Sequence, residues 1–231
     1  NERNFYISSV IMKKIFYTID RVIPVNSVVL TRDKTLPKDG YSFFVTDEGD
    51  VIGKFYNERA KNYLEEEIAK ERKGGKIRKV YLKDYPCFPF RAAIEGFYGT
   101  PFTQAQRKDL LSFLKKIRMN AYIYAPKDDL YHRDAWRNDY PGQTLSLLKE
   151  LREEADKNFI DFYFAVSPGK DFCYADDKDY LILLQKLKAV SACGIDKFAL
   201  LMDDIQPVLS DEEAKIYHSP AHAQAALANR L

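Results

Sequence analysis

Four short, unbroken apolar runs constrain this chain more than any other feature. They cover 92–94, 121–125, 162–166 and 198–202. None alternates apolar with polar residues, so each reads as a parallel strand covered on both faces. A helical segment follows each run. Thr103 and Gln106 have capping-box spacing, and Leu110, Phe113, Leu114 and Ile117 share one helical face. Leu147, Leu148, Leu151 and Ala155 form the next stripe, and Leu183, Leu187 and Val190 a third that stops near Gly194. Ser210 and Glu213 have the spacing to cap a fourth helix. The runs recur about every 30 to 40 residues, the size of a βα unit. Such a series opens either a doubly wound sheet or a (β/α)₈ barrel. No GxGxxG follows the first run, which disfavours a dinucleotide fold and favours the barrel.

The region before these runs reads differently. Residues 1 to about 25 mix apolar and charged positions without clean periodicity. A short strand is expected at 28–30, and strands at 41–45 and 51–55 flank Asp47-Glu48-Gly49-Asp50, a hairpin turn. A helix is expected from 57 to 73, stopped by Gly74-Gly75, with a returning strand at 77–82. The fold class is therefore α/β. A small N-terminal α/β domain over 1–88 is followed by the first half of a TIM (β/α)₈ barrel over 89–231.

Charge and composition narrow the partners. The formal net charge is +2, and the only basic stretch, Lys70–Lys79, reads as a solvated helix end and turn. Nucleic acid is not an expected partner. No apolar run approaches the roughly 20 residues a membrane span requires. Cys87, Cys173 and Cys193 fit neither a disulfide framework nor a zinc site, and their odd number leaves the compartment open. His218 and His222 have i, i+4 spacing but lack the HExxH context of a zinc helix.

Barrel enzymes gather their chemistry at the C-terminal ends of the strands. The segments there are Glu95-Gly96-Phe97-Tyr98-Gly99-Thr100-Pro101, Pro126-Lys127-Asp128-Asp129, Ser167-Pro168-Gly169-Lys170 and Asp203-Asp204. Each alone is compatible with a turn, a cap or a solvated lysine. Four glycine-rich or charged ends in series point to one cleft.

These residues resemble glycoside hydrolase family 84, the O-GlcNAcases and related bacterial hexosaminidases often labelled hyaluronidases. The resemblance is carried by 94–99, 122–129 with Tyr131-His132-Arg133, Ser167-Pro168-Gly169, 198–205 and 220–224, spanning about residues 84–231. The region before is similar, more loosely, to the small α/β domain that precedes such barrels. The resemblance implies a retaining hydrolase that removes terminal β-linked N-acetylglucosamine from glycans or glycoproteins, the substrate's own acetamido oxygen acting as nucleophile. It implies that Asp203 orients the acetamido group and that Asp204 is the general acid and base. It implies a backbone contact to the sugar from Gly96, a hydrogen bond to its hydroxyls from Lys127, and no metal or cofactor. Asp128 and Asp129 receive no role, and His132 and Trp136 are expected to pack or support.

A full barrel takes about 250 residues, whereas about 140 follow Phe90. The chain is expected to be a truncated piece, with little activity alone and open sheet edges. Two other readings remain at this point. One is a degenerate, non-catalytic barrel that binds glycans or proteins. The other is a metal-dependent hydrolase using Asp203, Asp204, Asp128 and Asp129.

Overall fold

The computed structural model describes residues 3–8, 12–169, 171–203 and 207–231. The chain forms two compact units, residues 1–90 and 91–231.

In the first unit, strands β1 (Arg3–Ser8), β2 (Met12–Pro24), β3 (Val28–Arg32), β4 (Tyr41–Val45), β5 (Val51–Phe55), β6 (Arg72–Lys73) and β7 (Lys76–Pro86) form one sheet. Its order is β1-β2-β7-β4-β5-β3, with β6 on β7. Helix α1 (Glu58–Glu71) begins at Asn57, whose side chain accepts the Ala60 N–H at 2.9 Å. Alternation in β4 and β5 turns Tyr41, Phe43, Val45, Val51 and Phe55 inward, against Ala60, Tyr63, Leu64 and Ile68 of α1. Gly53 lies under this helix. A Cβ there would sit 2.6 Å from Leu30 Cδ2 and 2.9 Å from Leu64 Cδ2, so a larger residue would have to displace both leucine side chains. The returning strand runs to Pro86, well past the expected 77–82, because β2 pairs along nearly all of it.

In the second unit, β8 (Ala92–Glu95), β9 (Ala121–Tyr124), β10 (Asp161–Val166) and β11 (Lys197–Leu200) form a parallel sheet in sequence order. Between them lie α2 (Gln104–Lys116), α3 (Gly142–Lys157) and α4 (Lys178–Ser191). The Thr103–Gln106 capping box is present at the start of α2. Register places Glu95, Tyr124, Phe164 and Phe198 in one row and Ile94, Ile123 and Tyr163 in another. The first row faces the helices. Tyr122, Tyr124, Phe162 and Phe164 pack with Leu111 and Leu114 of α2, Leu148 and Leu151 of α3, and Leu183 and Val190 of α4 in one core. All three helices therefore cover the same face, whereas a doubly wound sheet has helices on both. The opposite face carries Ile94, Ile123, Tyr163 and Lys197 and is open: Ile94 is 54% exposed.

Two expectations are corrected here. Phe113 and Ile117 lie outside the core; of the expected stripe Leu114 is buried and Leu110 packs against the core, and α2 also buries Leu111. Arg107 of the same helix pairs with Glu95 at the end of β8. The Ser210–Glu213 box starts only the single turn α5 (Asp211–Ala214), and a separate helix α6 (Pro220–Arg230) follows. Pro220 holds Ser219 extended, at φ −163° and ψ 161°, which breaks the helix and supplies a new N-cap.

Candidate active site

Strand β11 stops at Leu200, before its apolar run ends, although the Leu201 N–H still reaches the Val166 carbonyl at 2.8 Å. Asp203 therefore lies beyond the ladder, free of the alternation that would fix its direction. Its side chain is 46% exposed and takes two donors. Lys127 Nζ, from the segment after β9, donates to Oδ2 at 2.6 Å. Ser167 Oγ, from the end of β10, donates to Oδ1 at 3.1 Å. The hydrogen bond from Lys127 is the largest influence on Asp203 and holds its carboxyl below the usual carboxylate range, despite some burial. Lys127 contributes little exposed surface of its own, since its side chain is only 10% exposed.

Lys127 and Asp203 line a cleft of about 560 Å³ with Ile94, Gly96, Phe97, Leu200, Leu201 and Met202. Strands β8 and β11 are the two edges of the sheet, yet their ends share this cleft, so the sheet curls strongly. The structure thus brings together Gly96, Lys127 and Asp203. Asp204 lies outside the described residues.

Sequence reasoning left the supports of this cleft without roles. Glu95, one residue before Gly96, turns to the helix side and is 1% exposed. It accepts Arg107 Nε at 2.9 Å and Nη2 at 2.8 Å, the Phe102 N–H at 3.1 Å, and the Tyr122 hydroxyl. These bonds tie the last residue of β8 to the end of the β8–α2 loop and to the first turn of α2. Burial, followed by the charge of Glu95, pushes the Tyr122 hydroxyl well above its ordinary range. The available signal was a lone carboxylate ending an apolar strand, with Arg107 twelve residues on.

Asp129 serves the segment that carries Lys127. Its Oδ2 accepts the Tyr124 and Tyr140 hydroxyls, each at 2.9 Å, and its Oδ1 accepts the Tyr131 N–H at 2.9 Å and the His132 N–H at 3.3 Å. Asp128 is exposed. No group of three or more side chains suited to a metal ion occurs among the described residues, and Asp129 is committed to two tyrosines and a turn. Trp136 is buried, donating to Asp171 Oδ1 at 2.9 Å and stacking on Phe172. No helix among the described residues is long and apolar enough to cross a membrane.

Fold and site together define a βα-repeat protein with a carboxylate–lysine cleft at the C-terminal ends of its strands, the location where such folds place their chemistry. Comparison with known proteins specifies the class. The profile of the beta-N-acetylglucosaminidase family matches residues 91–231, and the chain belongs to that family. The Protein O-GlcNAcases of Rattus norvegicus and Mus musculus are each 40% identical over 138 residues, which is 60% of this chain and 15% of theirs. The solved structure of CpGH84B matches with a TM-score of 0.70 and 36% identity, over 80% of this chain and 33% of that one. A Thermobaculum terrenum O-GlcNAc hydrolase mutant matches with a TM-score of 0.60 and 38% identity, over 62% and 31%. The chain thus spans about 15% of the length of its curated relatives and about a third of these solved ones. The family 84 resemblance read from the motifs agrees with these relatives.

Proposed function

We propose that residues 91–231 form the first half of a (β/α)₈ barrel and supply the catalytic carboxylates of a retaining β-N-acetylglucosaminidase. Strands in sequence order, helices on one face and edge strands curling to one cleft all support the barrel reading. The open face around Ile94 is the inner wall that further strands would cover. On this reading, activity needs those strands, and residues 1–231 alone hydrolyse little.

One observation carries the chemistry: Asp203 is held ionised by Lys127 inside a cleft that also includes Gly96. An ionised carboxylate can accept the N–H of a 2-acetamido group and stabilise positive charge as the acetamido oxygen attacks the anomeric carbon. Asp204 then protonates the departing oxygen and later deprotonates water. Anchoring one carboxylate to a lysine suits a pair whose members do different work. Lys127 turns toward the sugar hydroxyls when substrate enters, and the Gly96 backbone contacts the ring. Substrate-assisted enzymes of this kind depart from the usual acid-and-nucleophile pair. The substrate class is terminal β-linked N-acetylglucosamine on glycans or glycoproteins. The names of the curated relatives favour the O-linked monosaccharide on protein.

Asp204→Ala tests the proton-transfer role in the form of the protein that hydrolyses an aryl β-N-acetylglucosaminide. Its activity should fall about 10²–10⁴-fold on poor leaving groups and recover on well-activated ones. An equal loss on both would remove Asp204 from the acid role.

A further inference from the structure

His132 is fully buried beneath the cleft, in the segment between Lys127 and α3. Its ring Nδ1 lies 2.8 Å from the Ala165 carbonyl. A carbonyl only accepts, so Nδ1 carries the proton and Nε2 presents a lone pair. That Nε2 is buried and has no hydrogen-bond partner among the described residues. The backbone of the same residue makes a second link to β10, since the His132 carbonyl accepts the Ser167 N–H at 2.9 Å. One residue therefore bonds to Ala165 in β10 and to Ser167 just past its end. Its own N–H is held by Asp129.

We propose that His132 is a positioning residue for Asp203, a strut that fixes the Lys127 segment against the end of β10. The consequence for catalysis rests on the glycosidase reading, but the geometry does not. Asp203 takes its two donors from different segments, Lys127 from one and Ser167 from the other. Both bonds persist only if the two segments keep their spacing, and His132 is the residue that bonds across them at ring and backbone together. The charged groups that bear on the ring are Asp129, Lys127 and Asp203, which ties it electrostatically to the same site. A ring held only by packing would not need a polar edge in a buried site. The imidazole supplies an Nδ1–H, which an apolar ring of similar size lacks.

The test compares three variants. His132→Asn places an amide N–H where Nδ1–H stood. His132→Gln places its amide near the former Nε2. His132→Leu removes both. Carboxyl NMR titration of Asp203 in residues 1–231 reads the outcome without substrate. The Asp203 midpoint should stay depressed in the wild type and in His132→Asn, and should rise toward its ordinary 3.8 in His132→Gln and His132→Leu. Where His132→Leu does not fold, the contrast between Asn and Gln decides. In a form active on an aryl β-N-acetylglucosaminide, kcat should follow the same order, falling about 100-fold in His132→Gln with KM little changed. A midpoint that does not move in folded His132→Gln, or a Gln variant closer to wild type than Asn, overturns the positioning role. Absence of glycosidase activity in every form would overturn the functional reading and leave the titration result standing.

Discussion

Two carboxylates end two strands of the same sheet and meet opposite surroundings. Glu95 closes β8 on the helix side, 1% exposed, and takes four donors from Arg107, Phe102 and Tyr122. Asp203 follows β11 on the cleft side, its side chain 46% exposed, and takes two. Glu95 is saturated and has no capacity for a ligand. Asp203 keeps oxygen lone pairs facing a cleft, which is what a carboxylate that binds something requires. The difference separates a group that builds the site from one that acts in it, although each stands at the end of an apolar run.

The largest expected effect comes from breaking the saturated member. Glu95→Ala leaves Arg107 charged and nearly buried, its side chain only 11% exposed. The loss should be about 3–5 kcal/mol, a large fraction of the roughly 5–15 kcal/mol that stabilises an ordinary domain. Chemical denaturation followed by circular dichroism reads it, and a loss below about 1 kcal/mol would erase the contrast. Asp203→Asn should do the reverse. Asparagine keeps an acceptor for the nearly buried Lys127, and the carboxylate it replaces is 46% exposed, so stability should fall by only about 1 kcal/mol, whereas turnover should fall about 100-fold through lost electrostatic stabilisation. Parallel melting and rate measurements on this variant separate the two effects.

How much of this was legible in the sequence depended on the range of the signals. The four strands were visible because β8 to β11 are covered on the helix side and carry apolar residues in unbroken runs. The strands at 3–24 were not. Strand β2 puts Met12, Lys14 and Phe16 on one side and Ile15, Tyr17 and Ile19 on the other, so apolar residues fall on both faces and no apolar–polar alternation shows. A bulge between Thr18 and Val22 then shifts the alternation. Gly96, Lys127 and Asp203 fall in segments that follow the strands, and the family resemblance singled them out there. Their supports could not be named, since Glu95 meets Tyr122 across 27 residues and Ser167 meets Asp203 across 36. Local pattern carries no information about such pairings. The break before α6 was present in Pro220, but the capping box at Ser210 masked it.

Smaller effects sharpen the same comparison. Tyr122→Phe removes one of four donors to Glu95 and should cost about 1 kcal/mol, read by the same denaturation experiment. A cost near that of Glu95→Ala would mean that the hydroxyl, and not Arg107, anchors the carboxylate.

The last effect is a dependence on pH. Burial pushes the His132 ring below its ordinary 6.5 and outweighs its bond to Ala165 and the charges of Asp129 and Asp203, which raise it. The unfolded chain then binds the proton more readily than the folded one. Stability contributed by the neutral ring is present above pH 6.5 and declines as pH falls below it, by at most about 1.4 kcal/mol per pH unit. The depressed carboxylates, Asp203, Asp179 and Glu67, act lower, below about pH 4.5. Melting between pH 4.5 and 7 should show this slope in the wild type and lose it in His132→Asn.

The central claim, that Asp203 serves a substrate which attacks itself, is tested most directly by changing the substrate's nucleophile. Aryl glucosaminides bearing N-acetyl, N-fluoroacetyl, N-difluoroacetyl and N-trifluoroacetyl groups carry progressively weaker carbonyl oxygens on nearly constant shapes. In the active form of the protein, kcat/KM should fall steeply with each added fluorine. A rate indifferent to fluorination would mean that the acetamido oxygen does not attack, and the role assigned to Asp203 would be wrong.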